Sequence, residues 1–389
     1  AAGDRTDGAG MNEMVLRNAR MVLAQGVHQG DLALRDGLIL DIGERGRSRS
    51  GVDFEGDWLI PGLVELHTDH LEGHYAPRPK VRWNPAIAVQ AHDAQIASSG
   101  ITTVFDALRV GMDEDANLGV SDMRALADAI AEGRQRKRLR ADHFIHLRCE
   151  VSAPDVVDGF AQFERDERVR IVSLMDHTPG QRQFVSMEAY RVYYQGKTGM
   201  SDAQFAAFVD RRRSQAEIWS DKHRKAIAAA CRDRDIVMAS HDDATVDHVS
   251  EAIDHGIGLA EFPTTLEAAK AAHAAGMTVL MGAPNVVRGG SHSGNVSART
   301  LIAEGTLDAL SSDYIPFSLI QAGFMIAEGD GGIDLSRAIA MVTANPAAAA
   351  GLTDRGVIAP GKRADLVRVH LDEGVPVVRG VWREAVRVA

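Results

Sequence analysis

Short alternating runs occupy both ends of this chain, and a strand–helix alternation fills its middle. From Glu13 to Ile60, the runs MVLRNARMVL, DLALRDGLILDIG and DWLIPG alternate apolar and polar positions between turn signals such as Arg35-Asp36-Gly37. Gly356 to Val388 has the same character in GVIAPGKRADLVRVH, PVVRGVWR and EAVRVA. Neither end can close a core alone. Residues 11–61 and 356–389 are therefore expected to complete each other as one small composite β-sandwich, provided the middle brings them together.

The middle, residues 62–355, reads differently. Eight apolar runs recur: LVELH, TTVFDA, FIHLRCE, IVSLMDH, IVMASHD, LAEFPTT, TVLMGAP and ALSSDY. Ala-rich helical stretches such as DMRALADAIAEG and TLEAAKAAHAAG lie between most of them. Eight strands alternating with helices predict an α/β fold, a (β/α)8 TIM-like barrel. A doubly wound open sheet is the rival, and the lack of G-x-G-x-x-G after the first strand lowers it. The stretch between His177 and Ile236 is far longer than an ordinary βα loop. Residues 178–235 are expected to form a lid-like insertion that roofs the site.

Several of the strands end in a polar or ionisable residue: His67, Glu150, His177, His241, Glu261 and Asp313. In a barrel of this kind the strand ends converge on one face, where catalysis sits. Packing alone does not call for such a ring.

Composition narrows the partners. The 389 residues carry 43 Lys and Arg against 54 Asp and Glu, a net charge of −11, which disfavours nucleic acid as a general partner. Two cysteines, Cys149 and Cys231, make no disulfide framework. No run approaches the roughly 20 apolar residues that span a membrane. There is no signal-like segment, and residues 1–10 read as a disordered or tag-like tail. A cytoplasmic location follows as the default expectation, and a homo-oligomer is compatible with everything read so far.

The strand-end residues suit a divalent metal. His67-Thr68-Asp69 sets an imidazole and a carboxylate at i and i+2, on one face of a strand. Such donors suit Zn²⁺, with Mn²⁺ or Fe²⁺ as alternatives. Glu150 reads as a carboxylate ligand, or as the partner of Arg148 two residues earlier. Asp176-His177 and His241-Asp242-Asp243 supply imidazoles with carboxylates beside them that can orient the rings. Asp313 can bind metal and take a proton from bound water, although Ser311, Ser312 and Asp313 are also helix-capping types. The expected metal set is His67, Asp69, Glu150, His177, His241 and Asp313, holding one or two ions, with Asp313 and His241 as the catalytic pair. His70, His74 and Glu261 are further residues able to complete the shell.

Two segments look like anion sites. Residues 285–295 read as a loop with three glycines, in which Arg288, Ser291 and His292 face phosphate oxygens. Thr178-Pro179-Gly180-Gln181-Arg182-Gln183, followed by Tyr193-Tyr194-Gln195-Gly196-Lys197, adds Arg182 and Lys197. Arg78 lies near the first strand end, and Arg148 on the third strand. Together these cations offset the acidic background locally, so a small anionic phosphorylated substrate is expected.

PGLVELHTD, TANPAAAAGL and GVIAPGKRADLV resemble the amidohydrolase superfamily. Longer strings narrow the match: ELHTDHLEGHYAPRP, VSLMDHTPGQRQF, YYQGK, ASHDDAT, LMGAPNVVRGGSHSGN and SSDYIP resemble the phosphonate-metabolism protein M family. That resemblance covers nearly the whole chain from Met11. It implies metal-dependent hydrolysis of alpha-D-ribose 1-methylphosphonate 5-triphosphate with release of pyrophosphate, in the carbon–phosphorus lyase pathway. Three departures from the wider superfamily affect the metal count. His67-Thr68-Asp69 replaces His-x-His, no Lys ends the fourth strand, and the sixth strand ends at Glu261 rather than His. The competing functions are a hydrolase of C–N bonds in cyclic imides or N-acyl compounds, and a non-catalytic scaffold.

Overall fold

The computed structural model describes residues 13–46, 50–112, 118–180, 182, 187–291, 294–329 and 332–389, without the side chains of residues 189, 193 and 197. Among these residues no helix is long and apolar enough to cross a membrane.

Strands β1 (Glu13–Leu23), β2 (Gly26–Arg35), β3 (Leu38–Glu44), β4 (Val52–Asp53) and β5 (Trp58–Pro61) precede the barrel. The barrel strands are β6 (Leu63–Thr68), β7 (Ile101–Val110), β8 (Asp142–Glu150), β9 (Val169–Met175), β10 (Val237–His241), β11 (Leu259–Glu261), β12 (Thr278–Gly282) and β13 (Ala309–Ser311). They pair in parallel in sequence order from β6 to β13. All six residues of β6 are buried, as expected of a strand covered on both faces. Gly62 permits its entry, because a Cβ there would lie 2.2 Å from Thr102 Oγ1. The surrounding helices bury small residues at helical spacing, such as Ala268, Ala269 and Ala272 in the helix Leu266–Ala274.

The sheet closes where β6 meets the chain just after β13. Thr68 and Asp313 form a parallel bridge, and Asp313 N–H donates to His67 O at 3.1 Å. Glu65 reinforces this seam. Its carboxyl accepts from His67 N–H at 2.7 Å and from Ser312 N–H at 2.5 Å. Burial, with the nearby charge of Asp313, pushes the Glu65 carboxyl up to about 8.

Strands β14 (Leu366–Asp372), β15 (Val375–Arg383) and β16 (Val386–Arg387) return to the first five. The pairing order β16-β15-β14-β5-β1-β2-β3, with β4 beside β1, makes one mixed sheet from both chain ends. Its core includes Leu16, Met21, Leu32, Phe54, Leu366 and Trp382. The expected composite β-domain is thus present, joined by the antiparallel pairing of β5 with β14. Asp142, the first residue of β8, fastens this sheet to the barrel. It accepts from Arg355 at 2.9 Å, Arg363 at 2.7 Å and Arg383 at 3.3 Å.

The stretch expected as a lid is mostly helical. Met187–Thr198 and the 32-residue helix Asp202–Asp233 form it, with Ser201 and Gln204 closing a capping box at the start of the second. Tyr190, Phe205, Phe208 and Val209 pack as a separate small core. Farther along the long helix, Ile227, Ala228 and Cys231 join the main core. The second half of the insertion is therefore an ordinary barrel helix, extended at its N-terminal end.

Candidate metal centre and active site

One cavity of about 310 Å³ opens at the C-terminal ends of the barrel strands. His67, Asp69, His177, His241 and Asp313 line it, and so do Arg148, Arg288 and Ser291. The barrel brings these together from six different strand ends, although Glu150 and Glu261 of the ring read from the sequence do not line it.

The inner wall is built on a shared carboxylate. Glu261, wholly buried at the end of β11, places Oε1 3.1 Å from His67 Nδ1 and Oε2 3.2 Å from His241 Nδ1. Ser173 Oγ donates to Oε2 at 2.5 Å. Burial alone would raise the Glu261 carboxyl, but the His67 and His146 imidazoles and the His241 hydrogen bond hold it well below the usual range. An ionised carboxylate only accepts hydrogen bonds, so both rings present Nδ1–H to it and keep the Nε2 lone pair. His241 Nε2 lies 3.5 Å and His177 Nε2 3.8 Å from Asp242 Oδ2.

Two donor groups result, His67–His241–Glu261 and His177–His241–Asp242, each with ligand atoms within 4.8 Å of one another. Asp242 Oδ2 is buried and has no hydrogen-bond partner among the described residues. An orphaned carboxylate oxygen facing two imidazoles is costly without a cation. The donor set fits a divalent transition metal. The backbone at three strand ends here is strained as well: Asp242, Phe262 and Asp313 hold φ of 57°, 54° and 57°, in a region that non-glycine residues rarely adopt.

Asp313 completes the rim. Burial first, then the negative charge of Asp69, raises its carboxyl, opposed by His67, Arg148 and His241. Asp69 lies beyond the end of β6, at the N-cap position of the helix His70–Tyr75, rather than on the strand with His67. Its Oδ2 accepts from Arg148 Nη1 at 3.2 Å.

Glu150 sits behind the cavity wall instead of in it. Its Oε2 lies 2.7 Å from His177 Nδ1, and its Oε1 accepts from His177 N–H at 3.0 Å, Ser152 at 2.6 Å and Arg212 at 3.3 Å. Both oxygens are committed, which makes Glu150 a residue that aims His177. Burial would raise its carboxyl, but the His177 and Arg212 charges bring it down to about 2.

The anion segments separate. Residues 285–288, expected in a loop, belong to the helix Ala283–Arg288, started by Pro284 and ended by Gly289 at φ 80°. Pro at a helix start and Gly just past its end are the signals that override the loop reading. The glycine-rich loop begins only after Arg288. Asn285 Oδ1 accepts from Ala298 N–H at 3.0 Å and ties its far end back. Arg288 is exposed to the cavity mouth, and no ion pair engages it among the described residues.

Arg182, expected at the same phosphate site, instead lines a second cavity with Asp176, Arg213, Arg224 and His248. It pairs with Asp243 and, at 2.7 Å, with Glu251. In so acidic a chain a buried guanidinium finds carboxylates first. No described residue of 178–235, the stretch expected to roof the site, lines the first cavity. Arg78 is exposed on the segment after Tyr75 and lines neither cavity. His292 and the side chain of Lys197 lie outside the described residues.

Sequence reasoning missed His146 and Ser173 and gave Asp242 only an orienting role. His146 is buried in β8 with Nδ1 2.7 Å from Leu66 O and Nε2 2.5 Å from Ser173 Oγ. The period-two pattern in FIHLRCE, which puts His146, Arg148 and Glu150 on one face, carried that signal.

A model of the amidohydrolase family matches residues 86–375. The alpha-D-ribose 1-methylphosphonate 5-triphosphate diphosphatase of Escherichia coli strain K12 is 47% identical over 377 residues, covering 96% of this chain and 100% of that protein. An imidazolonepropionase of Streptomyces griseus is 28% identical, over 87% of this chain and 86% of that protein. Among solved structures, N-acetylglucosamine-6-phosphate deacetylase from Pasteurella multocida superposes with a TM-score of 0.64 at 13% identity, covering 97% of this chain and 99% of that one. That last likeness concerns the fold alone.

Proposed function

This chain belongs to the amidohydrolase family, and from that premise we propose that it hydrolyses alpha-D-ribose 1-methylphosphonate 5-triphosphate, releasing pyrophosphate. The observation that carries the reading is one cavity that joins a His–carboxylate donor set to two guanidiniums, in a chain 47% identical to a diphosphatase along its length. His177, His241 and Asp242 would hold one divalent ion of the zinc class, with His67 beside them. A neutral imidazole has one lone pair, so His241 serves a single ion, and Glu261 acts as the acceptor behind the rings. When bound, the metal would lower the pKa of water and stabilise charge on phosphorus-bound oxygen.

The chain's own residues do the rest. Arg288 and Arg148 bind phosphate oxygens and neutralise charge that builds as the P–O–P bond breaks. Asp69 holds Arg148 in place. Asp313 takes the proton from the water that attacks the phosphorus nearest the ribose. Pyrophosphate leaves, and the 5-phosphate bearing the methylphosphonate remains. A small anionic substrate of this kind gives Arg288 a task that a cyclic imide or N-acyl substrate does not.

Incubation with the triphosphate, followed by phosphorus NMR, tests the reading. Pyrophosphate should appear and should cease on chelation with EDTA. Orthophosphate as the first product, or turnover unaffected by chelation, would overturn it. Hydrolysis of a cyclic amide with no triphosphate turnover would favour the C–N alternative.

A further inference from the structure

A second group of imidazoles lies outside the set just described. His70 and His74 are one turn apart on the helix His70–Tyr75, so their side chains share a face. His92, on the helix Pro85–Ser98, is wholly buried beside them. Ring centroids are 4.9 Å apart for His70 and His74, and 5.8 Å for His70 and His92. Each residue offers one ligand nitrogen within 4.8 Å of the other two.

Their hydrogen bonding is incomplete in a specific way. Among the described residues, His70 Nδ1, His74 Nε2 and His92 Nδ1 are all buried and have no hydrogen-bond partner. Buried polar atoms are normally paired, so an unpaired nitrogen on each of three clustered imidazoles calls for a shared partner. The other nitrogen of His92 is occupied. Its Nε2 lies 2.7 Å from Asp106 Oδ1, and Asp106 Oδ2 lies 2.7 Å from His143 Nδ1. A carboxylate behind one nitrogen, with the opposite nitrogen left bare, is how proteins orient a metal-binding histidine.

We propose that His70, His74 and His92 form a three-nitrogen site for a divalent ion of the zinc class, separate from the barrel mouth. The inner set holds imidazole only, which disfavours Mg²⁺ and Ca²⁺ and suits Zn²⁺, Co²⁺ or Ni²⁺. A tetrahedral zinc site needs nitrogens about 3.3 Å apart, so small rotations of the rings close the cluster. Three protein ligands leave a fourth position for water. The ion would also give the six-residue helix a reason to stay folded, since a single short turn is unstable alone. Clamping that helix to Pro85–Ser98 fixes Asp69 at its start and, through Asp69, Arg148.

Metal counting tests this without reference to catalysis. Full-length protein is equilibrated with Zn²⁺, dialysed and assayed by elemental analysis, alongside His74→Gln and His241→Ala. His74→Gln should hold one equivalent fewer than the unmodified protein. Co²⁺ loaded into His241→Ala should give the visible absorption of a nitrogen-rich four-coordinate site, and adding His74→Gln to that background should abolish it. A folded His74→Gln protein with the full metal count and an unchanged Co²⁺ spectrum overturns the proposal, as does His241→Ala binding no metal. If circular dichroism shows His74→Gln unfolded, His70→Gln is read in the same way.

Discussion

Glu150 Oε2 lies 2.7 Å from His177 Nδ1, so a carboxylate from the third barrel strand sets the direction of an imidazole that follows the fourth. That contact, rather than direct metal binding, is what the geometry gives Glu150 to do. Glu150→Gln keeps the shape but loses the charge that faces His177 and Arg212. Turnover or metal affinity should fall by about 10–100-fold, the usual effect of removing such an orienting partner. Metal titration and steady-state kinetics check it, and an unchanged variant would return Glu150 to a packing role.

Asp313→Asn preserves the backbone seam with His67 while removing the proposed proton acceptor. Loss of a general base costs typically 10²–10⁴-fold, so kcat should drop by about that range with little change in fold. Circular dichroism beside the pyrophosphate assay separates the two effects.

Arg288 presents a guanidinium at the cavity mouth that no ion pair engages among the described residues. A hydrogen bond to a charged group is worth about 1.5–3 kcal/mol, so Arg288→Ala should raise KM by roughly 10–100-fold. Arg182→Ala should affect stability more than KM, because its partners are Asp243 and Glu251. Comparing KM and urea midpoints for the two variants decides between these assignments.

Asp142 joins barrel to β-domain through three arginines, and Asp142→Asn should lower stability by about 3 kcal/mol near neutral pH. Burial would raise its carboxyl, but Arg363, Arg383 and Arg355 bring it below the usual value. A depressed carboxyl stabilises the fold above its unfolded pKa, near 3.8, and that contribution fades as pH falls through the folded value. The gap between unmodified and variant protein in urea melts should therefore be full at pH 6 and shrink below pH 4.

Cys149 and Cys231 are both buried, and burial pushes the Cys231 thiol up to about 12. Neither should react with a thiol reagent in the folded protein at pH 8, and both should react once it is unfolded. Spectrophotometric thiol counting with and without denaturant measures this.

Much of the architecture was legible because barrel strands carry a local signature. Runs such as LVELH and IVMASHD are mostly apolar, and their polar last residues mark the cavity rim. His67, His177, His241 and Asp313 follow from that rule. Helix punctuation in Gly282-Ala283-Pro284 and Arg288-Gly289 was equally local, although three glycines in a row of polar residues masked it. Arg182 was not legible, because its carboxylate partners Asp243 and Glu251 are more than sixty residues away and only the fold brings them near. His92 gave no signal either, since one histidine in an Ala-rich helix reads as packing.

By itself, the sequence determined the strand and helix periods, the strand character of both chain ends and the ring of ionisable strand termini. These depend on residues close together in the chain, where side-chain spacing sets which face is buried. Only the tertiary structure decided which of those termini share a partner. Glu261 between His67 and His241, Glu150 behind His177, and His92 beside His70 and His74 are contacts set by barrel closure and helix packing. Distances of this kind arise from the whole folded chain and are not encoded in any one segment.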